Sequence, residues 1–475
     1  MKHPDSLRVF FATEMWERYG FYVVQTLLAL YLVLHYKWHD HEVYELVASF
    51  TALTYLSPIM GGWIADRLLG QKLSILTGAV LLFFSYITLA IATTDHQLMA
   101  ALASISVGTG FLKPNISSLL GNEYPENSPQ RESGFTIFYM GITSGIILGT
   151  TIPSLLNSHF GWPISFASAA FGMIIAFTVF AFGIRKYTIL DYHPFIYEPA
   201  RIIKAILLTA GLWLIAFYIL SRPYFANFAF GIAAIASIYY LVYAVRNESA
   251  KQAKQTMVIG ILCIISILFW AFYFQMFLSL TLFISRVVQP QLFGIEFPAP
   301  YYVTIQSVGM LFFGYIFSRS KPKLTDTQSG IRTGNKFMLS IVFMFIAYAL
   351  IAFICNSNYS SALLSPLYFI PAYLLISVAE LLLSPVGLSA ITMLASRRKV
   401  STMMGIFFVS LGLGAFLSGK LASLTAVNAD ELSIIELKMH YANTFLQLLG
   451  FLFVTTVLCM GLNYLIKRLL SQNNP

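Results

Sequence analysis

The chain has 475 residues, of which 58% are hydrophobic and only 10% charged. A soluble domain carries about 25% charged residues, so the composition excludes an ordinary soluble globular protein and predicts a polytopic membrane protein. The net charge of +9 raises the question of nucleic acid, but the basic residues are spread over many loops, as set out below. Cys263, Cys355 and Cys459 all lie in apolar runs, too few and too buried for a disulfide framework or a metal site.

Apolar stretches long enough to cross a bilayer, at roughly 20 residues each, are predicted at 7–35, 43–70, 72–94, 97–121, 133–157, 161–185, 202–220, 224–246, 255–287, 300–319, 335–355, 364–394, 400–426 and 439–469. The short polar start, Met1 to Arg8, lacks the small-residue cleavage pattern that would follow a signal peptide, so the first helix is read as retained. That helix holds Glu14-Met-Trp-Glu17-Arg18-Tyr19-Gly20-Phe21-Tyr22. Each charge at membrane depth costs at least ~2.5–3.5 kcal/mol, and such charges face partners or a water-filled cavity. Glu14, Glu17 and Arg18 are three and four apart and share one helix face, which Tyr22 and Gln25 continue.

The second stretch closes with Gly61-Gly-Trp-Ile-Ala-Asp66-Arg67-Leu-Leu-Gly70-Gln-Lys72, a tight turn in which Asp66 and Arg67 can bond neighbouring helix ends. Its Gly-x-x-x-Asp-Arg-x-x-Gly pattern resembles the loop between the second and third helices of the major facilitator superfamily. Further on come Gly108-Thr-Gly-Phe-Leu-Lys113-Pro114-Asn115, then Arg131-Glu-Ser-Gly134-Phe135-Thr-Ile-Phe138, then Glu380-Leu-Leu-Leu-Ser384-Pro385-Val-Gly387. Pro114 removes a backbone hydrogen bond, so a bend is expected there. Gly108, Gly110, Gly412 and Gly414 are read as sites of close helix approach.

Fourteen helices put both termini on one side. Of the 29 Lys and Arg residues, 22 fall on that side, four on the other (Lys37, Arg222, Arg286 and Lys438) and three within helices. The basic side is cytoplasmic. The surplus charge is then topology, with contact to anionic lipid headgroups, and needs no nucleic-acid partner. The cations within helices are Arg18, Lys113 and Lys420; the anions are Glu14, Glu17 and Glu380. Equal numbers fit pairing inside a bundle, whether static or functional. Lys420, near a helix end, is read as snorkelling. His35, His39 and His41 are read as loop residues.

With Glu-x-x-Glu-Arg in the first helix, the motifs from residue 7 onward resemble, in order and spacing, the proton-dependent oligopeptide transporter family of the major facilitator superfamily. The likeness is closest to bacterial di- and tripeptide permeases. It implies an all-α integral membrane fold of 6 + 2 + 6 helices: a six-helix bundle over 1–190, two inserted helices in 191–250 and a second six-helix bundle over 251–475. It implies proton coupling at Glu14, Glu17, Arg18 and Glu380. Substrate contacts fall on Arg18, Tyr22, Gln25, Tyr55, Lys113, Thr143, Tyr273, Gln306, Glu380, Ser384 and Phe407. Lys113 and Glu380 would pair across the cavity as a gate.

A zwitterionic peptide carries an ammonium and a carboxylate, so Arg18 and Lys113 at one pole and Glu380 at the other match both ends whatever the side chains. A glutamate beside another carboxylate and an arginine has a proton affinity that shifts as the arginine moves. Many family members have a glutamate pair after Trp-Ala; here Trp270-Ala271-Phe272-Tyr273-Phe274-Gln275 has none. Many have an arginine where this chain has Gln25. The two losses are consistent, because removing one partner alone would strand a charge. A rebuilt outer gate is expected instead from Arg286 with Asp40 or Glu42.

No nucleophile–base set, metal-ligand spacing or phosphate loop is present, so the chain is read as neither an enzyme nor a metal or cofactor protein; the coupling ion is the proton. The expected function is import of di- and tripeptides by proton symport in the bacterial inner membrane, by a monomer. The alternatives are carriage of another small solute (an amino-acid derivative, nitrate or other metabolite) and a non-transporting receptor with the same fold.

Overall fold

Backbone groups inside a bilayer must be satisfied within the protein, and a helix does this within its own segment. The computed structural model describes residues 3–125, 129–192, 194–318, 326–357, 361–396, 399–428 and 432–471. Of the predicted cytoplasmic cations, Lys2, Arg319, Lys321, Lys323, Arg397 and Arg398 lie outside the described residues. The helices are α1 (Leu7–Leu34), α2 (Asp40–Ile64), α3 (Gln71–Ile91), α4 (Asp95–Asn122), α5 (Pro129–Phe160), α6 (Trp162–Lys186), α7 (Pro199–Ser221) and α8 (Pro223–Arg246). They continue as α9 (Ala250–Tyr273), α10 (Ser279–Val287), α11 (Pro300–Ser318), α12 (Asp326–Asn356), α13 (Ile370–Leu394), α14 (Val400–Ala422) and α15 (Ile434–Ser471). A two-residue ribbon, β1 (Gln291–Leu292) against β2 (Ile295–Glu296), links α10 to α11.

Taking α9 and α10 as one crossing gives the fourteen helices expected. Eleven of these crossings are long and apolar enough on their own to span a membrane. The others are α1, α4 and α11, which carry Glu14, Glu17 and Arg18, Lys113, and Gln306 respectively. The helix that carries Glu380, α13, is among the eleven.

Residues 1–31 and 53–226 form one compact unit. Its central feature is the seat of α1. Gly141, Gly145 and Gly149, four apart, lay one bare stripe of α5 along it. A Cβ at Gly145 would collide with the Met15 carbonyl and the Arg18 Cβ, and one at Gly149 with the Tyr19 carbonyl. Small residues let membrane helices approach this closely. Gly108 and Gly110 do the same for α4 against α3 and α2, as expected. Helix α4 stays helical through Pro114. At the Asp66-Arg67 motif α2 widens into a π-turn, Ala65–Leu69, and Gly70 at φ 77° makes the turn into α3. Asp66 and Arg67 are exposed there. Gln71 ties the turn to α4, donating to Ser118 at 2.8 Å. Helix α7 joins this unit, its Trp213 indole donating to Ser104 of α4 at 2.8 Å.

Residues 32–52 and 227–475 form the second unit. Its α9 breaks at Phe274–Phe277, a 3₁₀ turn inside the single span expected over 255–287. No Pro or Gly causes the break. Gln275 holds it: its amide donates to the Ala271 carbonyl at 3.0 Å and to the Ser418 carbonyl of α14 at 2.8 Å, and its oxygen accepts from Ser279 at 2.6 Å. Thr281 caps the freed Met276 carbonyl. Gly414 brings α14 against Trp270 and the Ile267 carbonyl just below.

Replacing Gly145 with Leu forces α5 away from α1 and costs roughly 1–3 kcal/mol. The expected outcome is a clear fall in melting temperature in detergent, whereas Gly450→Leu, where a Cβ meets open space, leaves it unchanged.

Candidate functional site

In the first unit the site is built on α1. Arg18 curls its guanidinium onto its neighbour Glu17: Nε donates to Oε2, and Nη2 donates to Oε1 at 2.5 Å. Its Nε also lies 3.3 Å from Glu14 Oε1. Helical spacing favours the Glu14–Arg18 pair, yet Glu17 takes both arms of the fork, the stronger bidentate arrangement. All three side chains are buried, Glu17 completely. The second oxygen of Glu14 has no hydrogen-bond partner among the described residues.

Lys113 of α4 stands with Nζ 4.9 Å above the Tyr55 ring of α2, a cation–π contact. Its charge acts on Glu14, Glu17 and Arg18. Tyr22 is packed by Gly149 of α5 one turn beyond Arg18, and Gln25 is buried a further turn on. Thr143, also buried, turns its hydroxyl back to the Tyr139 carbonyl at 3.1 Å.

In the second unit Glu380 of α13 is the focus. Its Oε2 accepts from Tyr273 of α9 at 2.8 Å and from Gln306 of α11 at 2.6 Å. Ser377 fixes α11 beside it, donating to the Gln306 carbonyl at 2.7 Å. The partners of this carboxylate are neutral donors; among the described residues of its unit no cation pairs with it. Ser384 is half-buried one turn on, and Phe407 of α14 closes on Gly387. Lys113 and Glu380 therefore each have a partner set within their own unit.

A second cluster forms at the start of α2. Arg286 of α10 grips Asp40 with both arms, at 2.7 Å each, and donates to the Tyr441 hydroxyl at 2.8 Å. The Val427 amide adds a fourth bond to the group, to Asp40 at 3.1 Å. Of the two acids expected near Arg286, Asp40 is the partner; Glu42 instead accepts from the His39 amide. Lys420 does not simply snorkel. It pairs with Glu45 at 2.5 Å, an anion missing from the sequence-based balance because it lies one turn inside α2.

The sequence reading missed the Gly141, Gly145 and Gly149 stripe, whose four-residue spacing was visible. It also missed Tyr441 and Gln275, whose roles depend on tertiary placement and leave no local signal. Among the described residues, no group of three His, Cys, Asp or Glu side chains is placed to hold a metal ion.

The sequence model of the POT family matches residues 72–437. The chain belongs to the POT family. The match begins after α1, so membership does not depend on the Glu14, Glu17 and Arg18 motif. Dipeptide and tripeptide permease A of Klebsiella pneumoniae is 29% identical over 94% of this POT chain and 89% of its own length. The permease of the same name from Escherichia coli K12 is 28% identical over the same shares. Among solved structures, the peptide transporter POT in complex with sulfate superposes with a TM-score of 0.83 at 25% identity, covering 98% of this chain and 96% of that one. A mutant of the peptide transporter POT in complex with alafosfalin gives 0.84 at 26% identity with the same coverage. As a POT-family protein the chain is an integral membrane transporter and not an enzyme.

The Asp40–Arg286 pair carries a stability prediction. Arg286→Ala leaves a buried carboxylate unpaired and costs roughly 3–5 kcal/mol. Asp40→Asn combined with Arg286→Gln costs less than the sum of the two single changes, as read from melting temperatures in a double-mutant cycle.

Proposed function

We propose that the chain imports di- and tripeptides by proton symport, through alternating access of two bundles, 1–190 and 251–475, around the inserted segment 191–250. The observation that carries this reading is the contrast between the two buried charge sets. One is a cationic pole, Arg18 and Lys113, in which Arg18 is already committed to a carboxylate. The other is Glu380, bonded to two neutral donors, Tyr273 and Gln306. A peptide's carboxylate competes with Glu17 for the guanidinium fork, and its ammonium supplies the cation that Glu380 lacks in its own unit.

Competition for Arg18 gives the coupling. While Arg18 holds Glu17, the carboxylate is stabilised as an anion; once a substrate carboxylate draws Arg18 away, Glu17 is left in a desolvated site where protonation is favoured. Substrate and proton thereby favour the same state. Tyr22, Gln25, Tyr55, Thr143, Ser384 and Phe407 supply amide and side-chain contacts. Lys113 with Glu380, and Asp40 with Arg286, act as gates. Glu14 and Glu380 share proton handling with Glu17, in the absence of the glutamates that many relatives carry after Trp270-Ala271. The basic surplus orients both termini to the cytoplasm of a bacterial inner membrane and meets anionic headgroups. The transporter works as a monomer without a cofactor.

The test is uptake of a labelled dipeptide into proteoliposomes under an inward proton gradient. Accumulation above the external concentration, collapsing when a protonophore is added, supports the reading. No uptake of any di- or tripeptide with or without the gradient overturns it. Glu17→Gln lowers driven uptake by about tenfold or more while counterflow exchange persists; unchanged driven uptake removes Glu17 as the proton carrier.

A further inference from the structure

Tyr86 of α3 is completely buried. Its ring closes on the α1 backbone at Gly20, three residues after Glu17 and so on the same helix face. A Cβ at Gly20 would stand 2.9 Å from the ring carbon Cε2 and 3.3 Å from the hydroxyl oxygen. Only glycine lets the phenol come this close. Among the described residues the hydroxyl nevertheless has no hydrogen-bond partner, although the charges of Glu17 and Arg18 both act on it. Buried phenols ordinarily find a partner. Phenylalanine would fill the same volume without a stranded hydroxyl, so packing alone gives no reason for a tyrosine here.

Arg18 occupies both oxygens of Glu17. When Arg18 turns to a substrate carboxylate, Glu17 loses both donors at once, about one helical turn from the phenol. We propose that Tyr86 is the second partner of Glu17, a positioning residue whose hydroxyl donates to the carboxylate released by Arg18, fixes its place and sets the pH at which it takes up a proton. The inference rests on the proton-coupled reading above. The other charged groups acting on this pair are Glu14 and Arg18 on α1 and Lys113 on α4, and Tyr22 on α1 acts on Arg18. Of these, Lys113 is the one on a different helix, and it is held over Tyr55.

The experiment is gradient-driven uptake of labelled dialanine in proteoliposomes across a range of external pH, for the parent chain, Tyr86→Phe and Tyr19→Phe. Losing a donor to the ionised carboxylate favours the protonated form, so Tyr86→Phe moves the midpoint of the uptake profile to higher pH by about half a unit or more. Above the parent midpoint Tyr86→Phe therefore retains a larger share of its own maximal driven uptake than the parent does. Tyr19→Phe deletes a different buried bond of α1, the one to Ser168 at 2.7 Å, and leaves the midpoint in place. A Tyr86→Phe midpoint equal to that of a coupled parent overturns the inference alone. So does a melting temperature several degrees below the parent, which would assign the hydroxyl a purely structural role. Absence of driven uptake in the parent overturns the functional reading and the inference together.

Discussion

The Arg18 guanidinium is bonded to Glu17 and lies 3.3 Å from Glu14, all within one buried stretch of a membrane helix. Such a cluster is tolerated only if its charges are paired and its surroundings hold them in place. The architecture of the first unit follows from that need. A stripe of three glycines on α5 brings a bare backbone against the motif, and Gly20 admits the Tyr86 ring on the α3 side. Lys113 adds a second cation from α4 without displacing Arg18 from Glu17.

The second unit solves a different problem. Glu380 is steadied by a phenol and an amide, which orient a carboxylate without neutralising it. The elements that present those donors are themselves pinned. Gln275 stabilises the break in α9 just after Tyr273 and ties it to α14. Ser377 ties α13, which bears Glu380, to α11 at Gln306. Charge pairing is used fully elsewhere in the same unit, where Arg286 satisfies both oxygens of Asp40 and Lys420 meets Glu45. The lack of a cation at Glu380 among its own neighbours therefore stands out as a local feature of the site.

Much of this was legible in the sequence. The run of apolar stretches gave the helix count, because hydrocarbon imposes a length and a polarity that few other environments do. The Glu-x-x-Glu-Arg spacing gave the buried cluster, and the pairing of Arg286 with an acid at the start of α2 followed from two charges expected on the same side. Contacts made by side chains without a motif were not legible. The break at Gln275 has neither Pro nor Gly to announce it. Glu45 belongs to no motif and meets Lys420 only through the tertiary fold, and Tyr86 is one aromatic among many in an apolar run. The preference of Arg18 for Glu17 over Glu14 runs against helical spacing.

The central claim is that substrate and proton meet through one group, the carboxylate that Arg18 releases when a peptide binds. The most direct measurement is the number of protons exchanged on dipeptide binding to purified protein, obtained by calorimetry in buffers of different ionisation enthalpy. Net proton uptake in the parent chain, lost in Glu17→Gln, is the predicted result. Peptide binding with no proton exchange in the parent at any pH would contradict the account.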